Sequence, residues 1–115
     1  MSVKIYHNPR CSKSRQTLQL LQNQDVQPEI IEYLKTPPSA DELKDILKKL
    51  ALEPRDLMRK KEAEYKASGM DNTALDNDAL IAGMIANPKL IERPIVLAND
   101  KAAIGRPPED VLKIL

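Results

Sequence analysis

The first 34 residues constrain the fold more than any other stretch. "VKIY" at 3–6 is β-branched and aromatic, "NP" follows as a turn, and Ser12 to about Gln22 runs without Gly or Pro. Ser14, Thr17, Leu18 and Leu21 fall on one helical face, and "PEIIEYL", opening at Pro28, reads as a second strand. Strand, helix and strand within so few residues close as a right-handed βαβ unit with parallel strands.

Downstream, Ser39 and Glu42 have capping-box spacing ahead of the stripe Leu43, Ile46, Leu47 and Leu50, so a helix is expected over 40–50. Pro54–Arg59 and Glu62–Lys66 read as short helical pieces, and "SGMDN" at 68–72 breaks the run. A further helix is expected over about 77–86, with Leu80, Ile81, Met84 and Ile85 inward, before Pro88 stops it. "IVLA" (95–98) and "KAAIG" (101–105) flank "ND" as a tight hairpin. In "RPPEDVLKIL" the prolines and acids suit the start of a helix, and Lys113 suits its end. The order βαβ, helical insertion (about residues 39–88), ββα predicts an α/β, thioredoxin-like fold in a single domain of 115 residues.

Composition excludes several functions. A net charge of +1 provides no field for nucleic acid or anionic membrane. With no Trp or Phe, Tyr6, Tyr33 and Tyr65 are the only rings, so the core is aliphatic and no base-stacking platform is expected. "MSVKIYHNPR" lacks the apolar run of a signal peptide and no segment is apolar over the length of a bilayer span; a cytoplasmic location is the expectation. One cysteine and one histidine cannot form an internal disulfide or a Cys/His structural zinc site, and no metal is expected.

Those two residues stand together in "YHNPRCSKSR". Cys11 falls where the first helix begins, amid Arg10, Lys13 and Arg15, and unpaired N–H groups, the dipole and these cations all favour a thiolate. The C-x-x-C motif would need a cysteine where Ser14 stands; a phosphatase loop would need an arginine where Thr17 stands; and no Gly-rich phosphate loop is present. A monothiol site remains, which an external thiol must resolve, and Ser14 is expected to be structural at it. His7 could support the thiolate as an imidazolium or as a hydrogen-bond donor. Arg59, Arg93 and Arg106 are candidate anion ligands. Arg93 precedes Pro94 at the start of the third strand, where this fold brings a proline, commonly cis, to the cysteine loop. Guanidinium forks beside a thiolate suit a tetrahedral oxyanion.

The segments "IYHNPRCSKSRQTL", "YLKTPPSADEL", "LMRKKE", "NPKLIERPIVLAN" and "IGRPPEDVL" together resemble the glutaredoxin-linked arsenate reductases, the ArsC family within the wider ArsC/Spx group. The resemblance implies Cys11 as nucleophile, His7 as helper of its thiolate, Arg59, Arg93 and Arg106 as oxyanion ligands, and Pro94 as the cis proline. It further implies arsenate as substrate, glutathione as co-substrate, glutaredoxin as partner and no bound cofactor. Two other readings share the fold: an Spx-type regulator that binds RNA polymerase, against which His7 and Arg106 stand, and a monothiol glutaredoxin-like protein, which leaves three arginines unexplained.

Overall fold

A computed structural model describes residues 2–115. Four strands, β1 (Val3–His7), β2 (Glu29–Glu32), β3 (Ile95–Ala98) and β4 (Lys101–Ile104), form one sheet in the order β2-β1-β3-β4. β1 and β2 are parallel and joined through α1 (Ser12–Asn23), as the opening βαβ pattern requires. β3 lies antiparallel to β1, and β4 antiparallel to β3. Asn99 and Asp100, both left-handed at φ 54° and 60°, make the two-residue turn between them; Asn and Asp tolerate that region better than most residues.

The chain divides into two compact units, one of residues 2–36 and 93–115 and the other of 37–92. In the first, Val3 and Ile5 of β1, Leu21 of α1, Val96 and Ala98 of β3, and Val111 and Ile114 make a buried aliphatic cluster. Helical spacing in α1 predicts which side chains enter it: Ser14, Thr17 and Leu21 are buried and Leu18 partly so. The end of the chain departs from expectation. Pro108–Ile114 is a 3₁₀ helix, not an α-helix, and its buried residues Pro108, Val111 and Ile114 are spaced by three. That spacing matches three residues per turn, which stacks all of them on one side.

In the second unit, α2 (Ala40–Leu50) opens with the Ser39–Glu42 capping box and buries Leu43, Ile46 and Leu47. After a 3₁₀ turn at Pro54–Leu57 come α3 (Ala63–Ala67) and α4 (Asn77–Ala86), which buries Leu80, Ile81 and Met84. The guanidinium of Arg55 donates to Tyr65 Oη (2.7 Å), Met70 O (2.6 Å) and Asn72 O (3.0 Å), closing the irregular stretch after α3. The unit begins two residues before, and ends four residues after, the expected helical insertion, because 57–59 pair with 90–92 through a Met58–Ile91 bridge. Glu92 N–H donates to Leu57 O and Arg59 N–H to Leu90 O.

Candidate active site

Cys11 is the residue immediately before α1, with extended backbone (φ −95°, ψ 123°). Its N–H donates to Asn8 O and its carbonyl accepts from Arg15 N–H, both at 3.0 Å, so the loop is fastened on either side of the thiol. The thiol makes no capping bond to the helix, and α1 has no acidic residue in its first turn. Sγ is therefore left for other chemistry, at the positive end of a three-turn helix. Arg10, Lys13 and Arg15 are exposed around it, and Arg15 Nη1 donates to Pro9 O at 2.9 Å.

Arg106 brings a cation to the thiol. Its Nη2 lies 3.8 Å from Cys11 Sγ, while its Nε donates to the Arg93 carbonyl at 2.8 Å. The Arg93–Pro94 peptide is cis, as its position before β3 leads one to expect, and so is Arg106–Pro107. Pro94 is buried, and its carbonyl accepts from Gly105 N–H at 2.9 Å. Nε and Nη1 of Arg93 are buried atoms with no hydrogen-bond acceptor, although the residue is engaged elsewhere. Thus the structure brings Cys11 and Arg106 together, with the Arg93 main chain orienting Arg106 and Pro94 hydrogen-bonded to Gly105, the residue before Arg106.

Arg59 belongs to the other unit. Its Nη2 pairs with Glu62 Oε1 at 2.7 Å, an i,i+3 bridge with both side chains about a quarter exposed.

His7 is placed otherwise than an imidazolium would be. It is 6% exposed, and its Nδ1 lies 2.6 Å from Ser14 Oγ. Burial lowers its pKa below 6.5; the Glu32 carboxylate opposes that shift and Arg15 adds to it. Burial therefore favours the neutral ring, and with it the role of a hydrogen-bonding group over that of an imidazolium. A stability consequence follows. Because the folded form takes up the proton less readily than the unfolded chain, this residue leaves stability intact above about pH 6.5 and erodes it as pH falls below that value. Urea midpoints compared at pH 7.5 and 5.5 should show this loss in wild type and less of it in His7→Gln. An equal loss in both would contradict the burial.

Sequence reasoning named Ser14 as structural at the site but missed its contacts and one other. Ser14 Oγ also accepts from Asn8 N–H at 3.0 Å. The other is Gly105, where a β-carbon would meet Thr17 Oγ1 and lie 2.8 Å from Pro94 Cγ and 3.1 Å from Thr17 Cγ2. The scarcity of glycine, three in the chain, with one directly before Arg106, was the available signal. Among the described residues no three His, Cys, Asp or Glu side chains cluster as metal ligands, and no helix is long and apolar enough to cross a membrane.

The chain is similar to known proteins along its whole length. Residues 6–114 match the model of the ArsC family. The chain is 57% identical to the uncharacterized protein YfgD of Escherichia coli K12, over 98% of this chain and 96% of that one. It is 54% identical to the arsenate reductase of Neisseria meningitidis serogroup A, over 98% and 97% respectively. A solved structure, arsenate reductase from Vibrio cholerae, superposes with a TM-score of 0.96 at 56% identity, covering all of this chain and 98% of that one.

Proposed function

The chain belongs to the ArsC family, and from that premise we propose that it is an arsenate reductase whose nucleophile is Cys11. The observation that carries the reading is the approach of Arg106 Nη2 to Cys11 Sγ at 3.8 Å, beside a helix start with no acid of its own. A cation fixed there supports both a thiolate and a bound oxyanion.

In this reading the Cys11 thiolate attacks arsenic, an oxygen leaves as water after protonation, and a sulfur–arsenic bond forms. Arg106 and Arg93 hold the remaining oxygens. Reducing arsenate to arsenite takes two electrons, the yield of two thiols becoming one disulfide. This chain has a single cysteine, so the second thiol must come from another molecule. Glutathione is that thiol in the proposal; it attacks the adduct, arsenite leaves, and glutaredoxin reduces the mixed disulfide. His7, neutral and buried, steadies the loop. Such a cycle belongs in a reducing compartment such as the cytoplasm.

The test is arsenate-dependent oxidation of NADPH with glutathione, glutathione reductase and glutaredoxin supplied. Turnover is expected with all components and at most one equivalent without glutathione. Thioredoxin sustaining turnover alone would contradict the glutaredoxin link.

Arg106→Lys probes the fork. One ammonium cannot reproduce a planar group that reaches the Arg93 carbonyl and Sγ at once. Losing a charge-assisted hydrogen bond of about 1.5–3 kcal/mol should lower kcat/KM roughly 10- to 100-fold. Unchanged efficiency would mean that positive charge alone suffices.

A further inference from the structure

Ser14 is fully buried, and its hydroxyl oxygen has two neighbours of different kinds. Asn8 N–H, at 3.0 Å, can only donate, so it occupies a lone pair of Oγ. His7 Nδ1, at 2.6 Å, can either donate or accept, depending on its tautomer. The hydroxyl has one hydrogen to place. Were Nδ1 protonated, both neighbours would donate to Oγ and that hydrogen would be buried without an acceptor, which folded proteins avoid. With Nδ1 bare, all three groups are satisfied.

We propose that Ser14 is a positioning residue: it donates its hydroxyl hydrogen to His7 Nδ1 and so holds the imidazole as the neutral Nε2–H tautomer. The same oxygen ties the end of β1 and Asn8 to the first turn of α1, spanning the loop that carries Cys11. His7 thereby faces its surroundings through Nε2 as a fixed donor, neither a cation nor a base. The charged groups acting on the ring are Glu32, directly across from His7 on the parallel strand β2, and Arg15 on α1. They pull in opposite directions, and the hydroxyl adds to the side favouring the neutral ring.

The relevance to catalysis rests on Cys11 being the nucleophile, but the test needs no arsenate. A chain with one histidine gives a single pair of imidazole nitrogens in the ¹⁵N spectrum, so tautomer and titration midpoint are read without assignment ambiguity. In wild type, above the midpoint, the hydrogen is expected on Nε2 with Nδ1 bare. Ser14→Ala removes a donor that favoured the neutral ring, so the His7 midpoint should rise; Ser14→Thr, which keeps a hydroxyl, should restore it toward wild type. Asn8 N–H, deprived of its acceptor, should exchange with solvent several-fold faster in Ser14→Ala. A hydrogen on Nδ1 in wild type, or a midpoint that falls or stays put in Ser14→Ala, overturns the proposal, and the wild-type spectrum decides it even if the variants fail to fold. Failure of the arsenate assay alone would sink the reductase reading and leave this one standing.

Discussion

Cys11→Ser is expected to abolish arsenate reduction to the background of the assay while leaving the protein at least as stable as wild type. The loss is chemical. Serine has no accessible anion at neutral pH and no sulfur to bond arsenic, and no other cysteine in the chain can take over. The stability half follows from position. The thiol caps nothing, although it occupies the N-cap of α1. A serine hydroxyl there can accept from a first-turn N–H, a contribution of about 0.5–2 kcal/mol at such positions, which offsets the burial that the sulfur forfeits. A melting temperature at or above the wild-type value together with no turnover would separate nucleophile from packing. A variant that unfolds would instead make Cys11 a core residue, and residual turnover would move the nucleophile elsewhere.

Gly105→Ala should have the next largest effect. The added methyl has no room: it would sit 2.8 Å from Pro94 Cγ and against the side chain of Thr17. Neither neighbour yields easily. Thr17 is fully buried with Oγ1 donating to Lys13 O at 2.8 Å, and Pro94 is a buried ring held by its own backbone. The strand end must therefore shift, at about 1–3 kcal/mol of stability. The shift also carries Arg106, the next residue in the chain, away from Cys11, and a displacement of about 1 Å costs roughly 100-fold in rate. Urea denaturation and kcat/KM should both report it. Adding Thr17→Ala empties the space that the methyl needs, so the double variant should recover part of the lost activity. Were Gly105→Ala silent in both measurements, the contact between α1 and this strand end would not set the site geometry.

Much of the site's frame is legible in the sequence because it is set by local rules. A helix that begins right after "NPRC" puts Cys11 at its start whatever surrounds it. Ser39 and Glu42 announce α2 by spacing alone, and the structure closes both halves of that box. Pro94 before "IVLA" marks the cis peptide ahead of β3. What was not legible depends on residues distant in the chain meeting one another. The lowered pKa of His7 follows from burial and its ring meets Ser14, and a histidine in the polar-looking decapeptide "YHNPRCSKSR" gives no sign of either. Gly105 reads as a strand terminator until Thr17 and Pro94 are seen beside it. The final helix looks α-helical by composition, and only the threefold spacing of Pro108, Val111 and Ile114 against the aliphatic core explains its 3₁₀ winding. Arg59 was legible as a candidate anion ligand, but its pairing with Glu62 was not.

The bond from Arg106 Nε to Arg93 ends on a main-chain oxygen. Any amino acid at position 93 offers that oxygen, so the aim of the Arg106 fork is written into the path of the backbone and is insulated from mutation of its neighbour's side chain. Position 93 is thereby a place where a lineage can try different side chains against different anions, one substitution at a time, without first dismantling the cation beside the thiol.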